Sequence, residues 1–240
     1  MTPRPFLTAQ WRHLAMVNFE ADPHVLEPLV PPGTELDVWN GQLFVSLVGF
    51  LFLDTRVLGI GIPGYQDFTE VNLRFYVRRR SGDEWRRAVV FVKEIVPHRA
   101  IALTARALYG ERYVALPMDH RLQERDGRLC GVSYSWWLRD SENRIEVAVT
   151  GEPREPAEDS HEAFITEHYW GYARRRGGLT TEYRVAHPRW RVRLATEAKI
   201  VCDVAALYGD AFVDCLQGPP VSAFLAEGSP VQVFSGRTLR

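Results

Sequence analysis

The stretch FTEVNLRFYVRRR at residues 68–80 narrows the fold more than any other segment. Val71, Leu73, Phe75 and Val77 fall on one face and Glu70, Asn72, Arg74 and Tyr76 on the other, the alternation of an extended strand. Similar segments surround it. EWRRAVVFVKEIV follows across Ser81-Gly82-Asp83, and GRLCGVSYSWWLRD and NRIEVAVT pair across a turn at Asp140–Asn143. LTTEYRVAHP, WRVRLATEAKIVCD and Val231–Phe234 read as later strands. Before it, ELDVWNGQLFVSLVGFLFLD reads as two strands joined at Asn40-Gly41, a strong hairpin signal. The apolar run Leu43–Leu53 reads as buried on both faces. RAIALTARALY reads as a strand running into a turn, and GEPREPAED as a loop. Strands at hairpin spacing predict an antiparallel barrel or a strongly curved sheet.

Helices are few. Asp22 caps a short one with Pro23 at its first position, and Ser160 caps a longer one whose stripe Phe164, Ile165, His168, Tyr169 and Tyr172 runs to Gly177-Gly178. Short helices are expected at Ala211–Leu216 and Val221–Ala226. With no repeat and no linker-like break, residues 1–240 read as one domain, mainly β with a few helices (α+β).

Composition excludes several function classes. A net charge of −1 supplies no general attraction for nucleic acid or an anionic membrane, and Arg78-Arg79-Arg80 and Arg174-Arg175-Arg176 read as solvated element ends. No apolar run approaches the ~18 residues of a spanning helix, so no membrane partner is expected. Three cysteines without CxxC spacing predict neither disulfides nor zinc and suit a reducing cytoplasm. Gly59, Gly61 and Gly64 spell GxGxxG, but Pro63 interrupts it and a strand follows, which denies a dinucleotide the helix N-terminus it needs. Neither HExxH nor GxSxG occurs. No metal and no cofactor is expected.

Taken in order, WRHLAMVNFE, LVPPGTELDVWNGQLFVSLVGF, FTEVNLRFYV, ALPM and FITEHYWGYARRRGG followed by YRVAHPRWRV resemble the bacterial DUF2071, or YqjF-like, family over almost the whole length. The resemblance implies an acetoacetate-decarboxylase-like fold, an antiparallel β-barrel or cone around a central cavity. FTEVN resembles the decarboxylase strand that carries a catalytic glutamate, which maps to Glu70. ARALYGERYV resembles the lysine-bearing GREIYGFPKK: Arg106, Tyr109 and Gly110 match, whereas Tyr113 and Val114 stand where the lysines would be. Tyrosine forms no imine, so the decarboxylase Schiff-base mechanism cannot run from position 113.

Only Lys93 and Lys199 remain as amines. Lys93 shares a strand face with Val89, Phe91 and Ile95, and reads either as a cavity amine of depressed pKa or as a lysine whose stem lies on the sheet. If the barrel closes, Glu70 becomes a candidate acid–base group and Arg74 a carboxylate clamp, with Tyr76 beside them; a structural Glu70–Arg74 ion pair is the alternative. Tyr113 would hydrogen-bond a carbonyl or enolate oxygen, Arg106 would hold an anion, and Tyr109 and His168 would line the pocket. For His168 a core histidine bonded to backbone is the favoured alternative. The expected function is a small-molecule-binding barrel, lyase-like, acting on a short anionic oxo-acid without a Schiff-base lysine. A non-catalytic binding or sensing module on the same scaffold is the alternative, and a fully packed interaction protein the third; self-association into a homo-oligomer stays open.

Overall fold

The computed structural model describes residues 4–175 and 177–239, the side chains of Leu108 and Tyr109 excepted. Its strands are β1 (Leu7–Glu20), β2 (Glu35–Leu36), β3 (Phe44–Val57), β4 (Ile60–Gly61), β5 (Phe68–Ser81), β6 (Glu84–Val96), β7 (Tyr113–Ala115) and β8 (Met118–Arg125). They continue as β9 (Arg128–Leu138), β10 (Ser141–Val149), β11 (Trp170–Arg174), β12 (Thr180–Ala186), β13 (Val192–Val201), β14 (Ser222–Val233) and β15 (Arg237–Leu239). The helices are α1 (Pro23–Leu26), α2 (Arg99–Tyr109), α3 (His161–Thr166), α4 (Val204–Tyr208) and α5 (Val213–Gln217). None of them is long and apolar enough to cross a membrane among the described residues.

Strands β12, β11, β6, β5, β3, β1 and β14 lie side by side, and β14 pairs back with β12 through Val185↔Val233 and Ala186↔Gln232. The ring is a closed barrel. Its seams are antiparallel except β6–β11, where Trp170↔Ala88 and Gly171↔Val89 run parallel; the short β7 also joins β6 in parallel. Register shifts between Thr8 and Gln10 and between Arg12 and Ala15 bend β1 around the ring.

Beyond β14 the sheet continues through β13, β10, β9 and β8 and folds over the barrel's outer face. Val71, Leu73, Phe75 and Val77 of β5 meet Val132, Tyr134, Trp136 and Ile145 there in one core. Gly49 admits this second layer, because a Cβ at that position would overlap the Tyr134 ring. β3 is therefore covered on both sides, as its apolar run predicts, and the alternating face of β5 points into the barrel instead of water.

Other expectations need correction. The Asn40-Gly41 turn forms, with both residues at positive φ and Trp39↔Gln42 as its bridge, but its first arm shrinks to β2, which pairs with β5. Residues 99–109 are helix α2, not strand: the Ala, Leu and Arg residues of RAIALTARALY favour a helix and Gly110 (φ 76°) caps it in the left-handed conformation. Ser160 does cap α3, accepting from the Ala163 amide at 3.2 Å, but the helix stops at Thr166, and Tyr172 lies on β11. Residues 221–226 lie on or beside β14, not in a helix. The Arg78–Arg80 run is more than a solvated end, since Arg79 joins Arg86 and Arg237 around the buried Glu182. Arg176 of the other run lies outside the described residues.

Candidate functional site

The barrel encloses a cavity of about 370 Å³, in the range of small-molecule sites. β5 sets its axis: Phe68, Glu70, Asn72 and Arg74 all line it, each step about 6.6 Å below the last. Phe68 lies towards the mouth, beside the exposed Ile60 and Ile62. Arg74 lies towards the floor, where its Nη2 donates to the Ile165 carbonyl at 3.4 Å.

An acidic wall gathers around Glu70. Asn72 Nδ2 donates to Glu70 Oε1 at 3.0 Å and the Tyr113 hydroxyl to Oε2 at 3.1 Å. β7 brings Tyr113 there by pairing it with Glu94. Glu94 sits opposite Asn72, and Glu111, from the α2–β7 connection, accepts from the Tyr183 hydroxyl at 2.8 Å. Burial pushes Glu70 up to about 7, with hydrogen bonds from Asn72 and Tyr113 opposing it. Burial and the neighbouring Glu70 push Glu111 up to about 8. Glu94 is raised well above the carboxylate range by burial, then by Glu111 and Glu70. Three carboxyl groups this close in a dry chamber retain protons near neutral pH.

The floor is basic. Arg74 has no carboxylate within 4 Å among the described residues, and its buried Nε has no partner. Asp37 accepts from Arg87 at 2.8 Å and stands 3.4 Å from His168 Nε2. Burial, together with nearby Arg87 and Arg74, brings His168 down to about 4 despite Asp37. In the neutral ring Nε2 lies 3.4 Å from both the Asp37 carboxylate and Arg87 Nη2, and Nδ1 is buried and unpartnered, donating or accepting according to the tautomer. His187 is likewise lowered to about 4, chiefly by burial.

Of the expected site residues, Glu70, Tyr113, Arg74 and His168 meet at the cavity, and the Glu70–Arg74 ion pair does not form. His168 belongs to the α3–β11 connection, held by the Asp37 side chain. Three residues lie elsewhere. Tyr76 sits behind the wall, its hydroxyl 2.5 Å from Ser46 Oγ and its ring against His168. Arg106 is exposed, on the side of α2 away from the cavity, where its Nε donates to the Tyr113 carbonyl at 2.5 Å. Lys93 points out of the barrel, bonding the Leu207 carbonyl and facing the Tyr208 ring. Its displacement has a clear cause: Arg74 pairs with Phe91 and Leu73 with Lys93, so Val92 is a bulge. An extra residue reverses the in–out parity of a strand. Val89 and Phe91 face inward on the floor side of the bulge, and Glu94 on the mouth side. The Tyr109 side chain lies outside the described residues, and Lys199 is on the surface beside Glu197.

Glu94, Glu111, Tyr183, His187 and Asp37 were not singled out by sequence. Glu94 is hidden by the bulge, and the others depend on contacts remote in the chain. The only local cue was Glu111, in the segment that departs from GREIYGFPKK.

The closed barrel around a central chamber has the acetoacetate-decarboxylase-like fold, as solved structures show. The enduracididine biosynthesis enzyme MppR complexed with pyruvate superposes with a TM-score of 0.70 at 12% identity, covering 100% of this chain and 92% of that one. Acetoacetate decarboxylase from Legionella pneumophila gives 0.67 at 12% identity, over 99% and 88%. An acetoacetate decarboxylase-like enzyme from Sphingomonas wittichii RW1 gives 0.66 at 14%, over 98% and 92%. The chain belongs to the family DUF2071, "Uncharacterized conserved protein", whose model matches residues 8–230. It is also similar to "Uncharacterized protein YqjF" of Bacillus subtilis (strain 168), 29% identical over 194 residues, 79% of this chain and 76% of the relative.

Proposed function

We propose that the barrel binds an oxo-acid and moves a proton at the carbon beside its carbonyl, without an imine. The observation that carries this reading is the pairing of Glu70 with an unopposed Arg74 on one strand face of a closed cavity. Arg74 receives the carboxylate, since a buried guanidinium without a counter-ion favours an anionic partner. With a pKa near 7, Glu70 is present in both forms at neutral pH and can serve as base or acid. As base it takes the proton from the α-carbon; the C–H electron pair becomes the C=C bond and the carbonyl oxygen gains the charge. Tyr113 and the protonated acids beside it hydrogen-bond that oxygen, and Glu70 returns the proton on reversal. The pyruvate bound by MppR supports the ligand class. His168, whose Nε2 faces Asp37, presents its unpartnered Nδ1 to a polar group of the ligand.

The test is hydrogen–deuterium exchange at the α-carbon of oxo-acids, followed by NMR, with thermal shift reporting binding. Glu70→Gln should slow exchange by about 10²–10⁴-fold while ligand still raises the melting temperature. Unchanged exchange in Glu70→Gln removes the acid–base role. Binding without exchange in the unaltered protein makes it a binding module.

A further inference from the structure

We infer that the acid this cavity takes carries a long apolar tail, its carboxylate at the floor, its carbonyl beside Glu70 and its tail in an aromatic vestibule at the mouth. The inference rests on the oxo-acid reading and names its substrate class more closely. Pyruvate or acetoacetate would occupy a small part of a cavity of about 370 Å³, since sites of about 300–1,000 Å³ enclose molecules of drug size.

The polar groups of the lower cavity are carried by β5, where Glu70, Asn72 and Arg74 follow below Phe68, although Phe50 stands level with Glu70 and Phe91 level with Arg74. At the level of Phe68 the wall is aromatic, since Phe52 pairs with both Phe68 and Trp11. Phe68 stacks on Phe52 at 4.6 Å and 13°. Trp11 meets Phe50, Phe52 and Trp190 edge-on at 5.3, 5.6 and 6.2 Å. All five rings border the cavity. α2 closes the other side with Ala105 and Ile101, and the exposed Ile60 and Ile62 extend the apolar surface to the lip. Small hydrated acids gain nothing from such a collar, whereas an alkyl or aryl tail loses water against it. The order carboxylate, carbonyl, tail is that of a 2-oxo acid substituted at its far end.

The experiment is calorimetric titration of the full chain with pyruvate, 2-oxooctanoate and phenylpyruvate, alongside Ala105→Phe and Ile101→Ala, each variant checked for an unchanged circular dichroism spectrum. Two buried methylenes already amount to about tenfold in affinity, so both tailed acids should bind at least about tenfold more tightly than pyruvate. Ala105→Phe fills the vestibule and should shrink that margin. If it fails to fold, Ile101→Ala, which strips one wall contact, should weaken the tailed acids severalfold more than pyruvate. Equal affinities, or pyruvate tightest, overturn the tail while sparing the oxo-acid reading. No binding by any of the three overturns both.

Discussion

Lys93 and Glu94 are adjacent in sequence but occupy opposite sides of the barrel wall. Lys93 ends on the Leu207 carbonyl outside; Glu94 is inside, 2% exposed, with Oε2 unpartnered. Borohydride treatment in the presence of pyruvate should therefore leave the intact mass of the protein unchanged, and Lys93→Met should bind oxo-acids as the parent does. A reduced adduct on Lys93 would contradict its outward placement. At this scale alternation put Glu70, Asn72 and Arg74 on one face, because β5 is regular along that stretch, and the family likeness turned that face towards the cavity. The same rule failed on β6, where parity depends on one unpaired residue that composition does not mark. Arg106 was misplaced for a related reason: the match to GREIYGFPKK aligned its position, but α2 turns it to the surface.

Between neighbouring elements, the pair Gly171↔Tyr183 couples β11 to β12. A Cβ on Gly171 would overlap the Tyr183 ring, whose hydroxyl reaches Glu111. Gly171→Ala should therefore push Tyr183 aside, break that hydrogen bond and lower stability by about 1–3 kcal/mol, read as a lower urea midpoint at unchanged m-value. Tight turns and the Asp22 and Ser160 caps were legible because their chemistry is local. The shortening of α3 was not. Its helical stripe continues to Tyr172, but β6 and β12 need a strand between them, and β11's pairings outweigh the helical preference of those residues. α2 follows a run of strands and reads as its continuation, although Gly110 was available as a stop signal.

For the molecule as a whole, closing the ring around three carboxyl groups links stability to pH. The folded protein holds protons on Glu70 and Glu111 up to about 7 and 8, protons an unfolded chain releases near 4.5. Stability must therefore fall as pH rises through that window. His168 and His187, lowered to about 4, act oppositely, since the unfolded chain takes up protons they refuse, but their effect is complete above about 6.5. From there to about 8 chemical denaturation should show stability declining, by at most about 1.4 kcal/mol per pH unit for each proton, and Glu111→Gln should flatten the slope. A rise over that interval would mean the chamber is wetter than its geometry implies. Closure itself was foreseeable from the strand count and the family likeness, but nothing local announces that β12 meets β14. The ring also bears on the bulge at Val92. An edge strand could slide past such an irregularity, whereas β6 is gripped by β5 on one side and by β7 and β11 on the other. Shortening β6 by one residue beyond Lys93, so that it ran straight, would bring an ammonium opposite Asn72 and turn the acid away. Ladder length, rather than the letters written along it, decides whether this interior presents an amine or an acid.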